Sequence, residues 1–185
     1  TTTLSEALAQ HYSAECVAEY GREYSEEKIA RDPNEAWTSN EFAVIAQEQN
    51  NQEDSAARNS GGLVVCDTDA FATSVWHERY MDGRSPDVEH LALGRHYDLY
   101  ILTGEEIPFV QDGTRDGEHI RSWMNDQFRY KLSLWGKPYL EVHGDKNTRL
   151  ALATKCIDHL LEHGTLPDLP EVHRNAWSPK PNLTA

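Results

Sequence analysis

Leu63-Val64-Val65-Cys66-Asp67-Thr68-Asp69 is the stretch that decides the fold. Four apolar residues run without alternation, so both faces of the segment need cover, as in a strand of a parallel sheet. Gly61-Gly62 punctuates the chain just before it. Two carboxylates follow it directly. In open α/β sheets ligands bind beyond the carboxyl ends of the strands, so Asp67 and Asp69 stand where chemistry is expected. Alternate residues of an extended segment point the same way. Carboxylates placed so can hold a hydrated Mg2+ or take a proton from an attacking hydroxyl. The competing reading is a strand-end turn in which Asp67 only caps a helix beginning near Ala70.

On the amino-terminal side, residues 14–18 are short and apolar and read as a second strand, leading into Glu19-Tyr20-Gly21-Arg22-Glu23-Tyr24. Leu4, Ala7, Leu8 and His11 recur at helical spacing over residues 3–12. Residues 25–40 are charged and broken by Pro33, and read as irregular. Residues 41–59 read as a long helix with Phe42, Ile45, Ala46 and Gln49 on its inner face. On the carboxyl-terminal side, helices are expected over 70–80, 87–94, 118–135 and 147–163, and strands over 97–102 and 139–142. Residues 107–115 read as a loop holding Pro108 and Gly113. Strands alternating with helices predict an α/β fold, a mostly parallel sheet with helices on both faces. One domain is expected over residues 1–164, followed by a Pro-bearing, extended tail over 165–185.

The 185 residues suit a single buried core, and 38% are hydrophobic. A net charge of −14 offers no basic stripe for a phosphate backbone, which argues against nucleic acid, and its excess carboxylate is repelled by anionic membranes. No apolar run approaches the ~18–20 residues of a membrane span. Three cysteines, Cys16, Cys66 and Cys156, are an odd number without CxxC spacing, which fits reduced thiols in a cytoplasm. The nine histidines are scattered without HxH or HExxH spacing, so a catalytic zinc site is not expected. GxSxG is absent too, which leaves a hydrolase elbow without support.

Arg115, in the loop Asp112-Gly113-Thr114-Arg115, and Arg121, in the helix after it, could close over transferring phosphates and neutralise transition-state charge. Surface pairing with Asp112, Asp116 or Glu118 is the alternative. Glu19, Arg22, Glu23 and Tyr24 could grip ribose hydroxyls and stack on a base, and an aromatic face also favours a cationic ring. A solvated helix start with Arg–Glu pairs would look the same. Trp37 and Trp76 are stacking surfaces if exposed in a cleft and core if buried.

In order and spacing these segments resemble the bacterial ribosylnicotinamide kinases of the P-loop NTPase superfamily. Val65-Cys66-Asp67-Thr68-Asp69-Ala70 with Thr73 and Trp76 looks like their Asp-Thr-Asp segment. Tyr97-Asp98-Leu99-Tyr100-Ile101-Leu102 with Pro108-Phe109-Val110-Gln111-Asp112-Gly113-Thr114-Arg115 is similar to their fourth strand and lid. Residues 19–24, and Trp37 with Glu41-Phe42, Ile45-Ala46 and Gln49, match further segments, and Thr2-Thr3-Leu4-Ser5 looks like the residues after a Walker Gly-Lys.

The resemblance covers residues 1–163 and implies transfer of the ATP γ-phosphate to the 5′-hydroxyl of nicotinamide riboside. It implies Asp67 as base or Mg2+ anchor with Asp69 beside it, Thr2 among Thr1, Thr2 and Thr3 as the Mg2+-binding hydroxyl, and Arg115 and Arg121 on the ATP phosphates. Glu19, Arg22, Glu23, Tyr24, Trp37, Asp69 and Trp76 fall to the riboside side. The departure is that GxxxxGK[ST], and the apolar strand that should precede it, do not occur in the sequence. The chain opens on Thr1 without Met, and we expect a segment carrying that strand and loop ahead of it. Two other readings stay open: a nucleotide-binding regulator of the same fold without nucleoside kinase activity, and a kinase for another nucleoside.

Overall fold

The structure is a computed structural model and describes residues 2–106 and 118–174. The described residues divide into two compact units, one of residues 2–96 and 118–120, the other of residues 97–106 and 121–174.

The first unit opens with helix α1 (Thr2–Tyr12) and strand β1 (Glu15–Val17). Helix α2 (Tyr20–Arg31), the long helix α3 (Ser39–Asn59), strand β2 (Val64–Cys66), helix α4 (Ala70–Met81) and helix α5 (Pro86–Leu93) follow. β1 and β2 pair in parallel, Cys16 opposite Val65 and Val17 opposite Cys66. The inner face read for α3 is the core of this unit, with Phe42, Ile45, Ala46 and Gln49 buried alongside Phe71, Val75, Val88 and Ala92. β2 is half-buried where a fully covered strand was expected. Among the described residues it pairs only with β1, which leaves its second edge without a strand neighbour.

The irregular segment read over residues 25–40 needs correction, because α2 runs on to Arg31. No apolar stripe announces this helix. Polar bonds hold it: Arg22 pairs with Glu26 at 3.0 Å and the Ser25 hydroxyl donates to the Gly21 carbonyl at 2.6 Å. Its Gly21 lies so close to α3 that a Cβ would stand 3.3 Å from Cγ2 of Ile45.

The second unit holds strand β3 (Tyr100–Thr103), helix α6 (Arg121–Leu134), strand β4 (Tyr139–Val142), helix α7 (Lys146–His163) and strand β5 (Val172–His173). β3 and β4 are parallel, Tyr100 opposite Tyr139. A single 3-10 turn, Glu118–Ile120, precedes α6 in the chain where one continuous helix was expected. The chain beyond Gly164 is not merely extended: β5 adds antiparallel to β4, and Arg174 donates to the carbonyls of Leu166 and Pro167. Leu140, Val142, Ala153 and Cys156 are fully buried between β4 and α7. No helix among the described residues is long and apolar enough to cross a membrane.

Candidate functional site

The turn after β2 is built from backbone outward. The Asp67 N–H donates to the Val17 carbonyl at 2.8 Å, prolonging the β1–β2 ladder by one bond. Thr68 then adopts a left-handed conformation with φ 70°. A β-branched residue there is costly, and such strain collects at functional turns. Asp69 returns to extended backbone and caps α4, its carboxylate accepting from the Ala72 N–H at 2.9 Å. Helix capping, the alternative raised for Asp67, therefore falls to Asp69. Both carboxylates are buried, Asp67 at 3% exposure and Asp69 at 6%. Asp67 acts on Cys16 of the neighbouring strand, whose thiol is pushed up first by burial and further by the Asp67 charge. Asp67 fits the demands of a hydrated Mg2+, which needs only one or two carboxylates. No group of three or more His, Cys, Asp or Glu among the described residues could enclose a metal by itself.

The aromatic residues nominated from sequence meet in one layer formed by α2, the α2–α3 connection, α3 and α4. Tyr24 faces Trp37 with ring centroids 6.1 Å apart, Trp37 lies 5.6 Å from Tyr80, and Tyr80 stacks on Trp76 at 6.2 Å. Tyr20 extends the layer beside Tyr24, and Phe42 lies under Trp37 at 5.1 Å. Trp37 and Trp76 are half-buried, between the two cases considered for them. Tyr80 joins the two tryptophans and was not singled out from the sequence, although its place four residues after Trp76 puts them on one helix face.

Polar anchors fix this layer. His77 is buried, with Nδ1 2.9 Å from the Gly83 carbonyl and Nε2 2.9 Å from the Ser39 hydroxyl. A carbonyl can only accept, so Nδ1 carries a proton, and in the neutral imidazole Nε2 accepts from the Ser39 hydroxyl. Gln49 accepts from the Tyr20 N–H at 2.9 Å and donates to Glu53 at 3.1 Å, which fixes the start of α2 on α3. The Tyr24 hydroxyl donates to Glu41 at 3.3 Å. Burial, then Glu48, Glu23 and Glu27, push the Tyr20 phenol up, which marks the acidic surroundings of that end of the layer.

Of the other nominated residues, Glu19 occupies the N-cap position of α2 without a side-chain cap bond, Glu23 is exposed, and Arg22 is paired with Glu26. Thr3 is exposed in the first turn of α1, where Thr2 is the opening residue. Arg121 begins α6, in the second unit. Thr1 and Arg115 lie outside the described residues.

The second unit carries a polar cluster that sequence reading missed, at the carboxyl ends of β3 and β4. Glu106 accepts from the Gly144 N–H at 2.7 Å and from Arg149 at 3.4 Å, and meets Nδ1 of His143 at 3.4 Å. Burial alone would raise its pKa, yet the N–H groups of Glu106 and Gly144, with His143, bring it to about 2. Glycines at 104 and 144 were the available signal. Gly144 has φ 89°, and a Cβ on Gly104 would overlap the Glu106 carboxylate and the His143 ring.

The AAA domain family model matches residues 1–149, most of the chain. The chain belongs to the AAA domain family. This AAA domain is also similar to the crystal structure of NadR protein in complex with NR, with a TM-score of 0.68 and 24% sequence identity. That likeness takes in 91% of this chain and 50% of the other, so the AAA domain spans half the length of the protein it resembles. The likeness shows the fold alone, an α/β fold of parallel strands and helices. The turn after β2 and the aromatic layer both lie inside the matched AAA domain, whereas β5 lies beyond it.

Proposed function

We propose that this AAA domain phosphorylates nicotinamide riboside at its 5′-hydroxyl with ATP, giving the mononucleotide. The observation that carries the reading is the way α4 joins two features. At its amino end is the buried Asp67-Thr68-Asp69 turn; about 10 Å further along its axis is Trp76 of the aromatic layer. A cationic pyridinium ring favours aromatic faces, and the nearby carboxylates favour its charge. The NadR protein solved with NR shares the fold, which supports the choice of riboside.

In this reading the 5′-oxygen forms a bond to the γ-phosphorus while the bond from that phosphorus to the β,γ-bridging oxygen breaks and ADP leaves. Asp67 accepts the hydroxyl proton. Tyr24, Trp37 and Trp76 hold the base, and Glu19, Arg22, Glu23 and Asp69 serve the ribose. Arg115 and Arg121 are assigned to the ATP phosphates on the sequence pattern alone. In the alternative role for Asp67, its carboxylate would hold Mg2+ with the Thr2 hydroxyl in place of taking the proton; Mg2+ when bound neutralises phosphate charge.

The full-length protein, given ATP and nicotinamide riboside, should form ADP and the mononucleotide in equal amounts, measured by mass spectrometry. Adenosine, uridine and deoxycytidine in parallel reactions would expose a kinase for another nucleoside. ATP binding with no nucleoside phosphorylated would replace the reading by that of a nucleotide-binding regulator.

A further inference from the structure

The connection between α2 and α3, residues 32–38, has no regular secondary structure, and every residue in it is exposed except the half-buried Trp37. Such a stretch has little packing to hold one conformation. One side chain of α2 reaches three consecutive residues of it. Lys28, 3% exposed, donates to the Ala36 carbonyl at 3.0 Å, pairs with Glu35 at 3.4 Å, and places its ammonium 5.0 Å from the centre of the Trp37 ring. It also pairs with Glu41 in the first turn of α3 at 2.7 Å. Glu41 in turn accepts from the Thr38 N–H at 2.8 Å and the Thr38 hydroxyl at 2.9 Å, closing the far end of the connection. Other ties among the described residues are an exposed Arg31–Glu35 pair, local turn bonds to Asp32, and the contacts of the Trp37 ring with Tyr24, Phe42 and Tyr80.

Lysine is rarely buried unless paired. A lysine wanted only for packing would be better served by an apolar residue of similar length. Burial works against the Lys28 charge, but Glu41 and Glu35 hold its pKa above the ordinary value, so the ammonium stays charged at neutral pH. Its bonds converge on the residues around Trp37 from both sides in sequence.

We infer that Lys28 is a positioning residue for nucleoside recognition: its ammonium pins residues 35–37 and sets the plane of Trp37 in the aromatic layer. The consequence for catalysis rests on the proposed nucleoside kinase reading; the pinning of Trp37 does not. Lys28→Met keeps the buried stem and removes the three polar bonds and the cation over the ring. Lys28→Arg retains charge with a wider, planar head, and should restore part of the effect.

The test uses the full-length protein with nicotinamide riboside and ATP as probes. In Lys28→Met the dissociation constant of the riboside should rise about tenfold, with the ATP KM and kcat within about twofold of the parent. A lysine that only supports the fold would instead lower the melting temperature and the folded fraction and leave the riboside constant of that fraction unchanged. A second measurement needs no ligand. The near-ultraviolet circular dichroism of the ring layer should change on Lys28→Met, and this change should vanish in a Trp37→Phe background. If the parent protein binds no riboside, the kinase reading fails and the dichroism alone decides Lys28. An unchanged spectrum, or the same change without Trp37, overturns the inference. If Lys28→Met does not fold, Glu35→Gln, which loosens one anchor at an exposed position, carries the same comparisons with a smaller expected effect.

Discussion

Replacing Asp67 by Asn separates the chemical role of the strand-end turn from its structural role. Asn has nearly the shape of Asp but offers no carboxylate to accept a proton or hold a cation. The bond that seats the residue, its N–H to the Val17 carbonyl at 2.8 Å, belongs to the backbone and survives. The capping bond that seats the turn on α4 belongs to Asp69 and survives as well. Asp67→Asn should therefore stay folded with these bonds of the turn intact, as thermal melting would show. A general base contributes about 10²–10⁴ to the rate, ~3–5 kcal/mol of barrier, so kcat should fall by that factor.

Asp69 gives the contrasting result. Ala there removes an N-cap worth ~1 kcal/mol, about 2–4 °C in a protein of this size. Asn caps as well as Asp, so Asp69→Asn should melt like the parent. Release of ADP in the presence of nicotinamide riboside, measured beside thermal melts of the three variants, makes the comparison. Undiminished turnover in Asp67→Asn would refute the reasoning, and so would a large loss of stability in that variant.

Arg115→Ala should slow turnover by about 10²–10³ if that guanidinium stabilises transition-state charge, and an effect confined to the riboside KM would contradict the assignment. Glu106 has a folded pKa near 2, below its ordinary value of 4.5, so its stabilising effect is fully present above that value and is lost as pH falls toward 2. Its side chain is 42% exposed, so solvent screening keeps this contribution to about 1 kcal/mol or less. Glu106→Gln should therefore melt below the parent at neutral pH, and the gap should close in acid; a gap that widens in acid would reverse the sign argument. Gly104→Ala displaces the same carboxylate and should destabilise by ~1 kcal/mol in chemical denaturation, with little further loss when combined with Glu106→Gln.

Much of the fold was legible because apolar runs and helical spacing sufficed. Leu63-Val64-Val65-Cys66 located β2, and Phe42, Ile45, Ala46 and Gln49 marked the buried face of α3. α2 escaped because polar pairs and one buried lysine hold it, and sequence spacing does not distinguish a buried, neutralised Lys28 from a solvated one. β5 escaped because two residues between prolines carry no periodic signal and depend on the edge of β4.

The candidate site shows the same division. Asp67 and Asp69 were visible as carboxylates at a strand end, but which of them caps α4 depends on the left-handed Thr68 between them. The rings of Tyr24, Trp37 and Trp76 were visible singly. Their meeting through Tyr80 is a tertiary fact, set by the packing of α2, α3 and α4. The Glu106 cluster joins residues far apart in sequence and had only its glycines to announce it.

The most direct test of the central claim is incubation of the full-length protein with ATP, Mg2+ and nicotinamide riboside, following the riboside mononucleotide by mass. The account predicts mononucleotide formed one for one with ADP, and loss of both in Asp67→Asn. ADP formed at the same rate with and without riboside, and no mononucleotide, would contradict it.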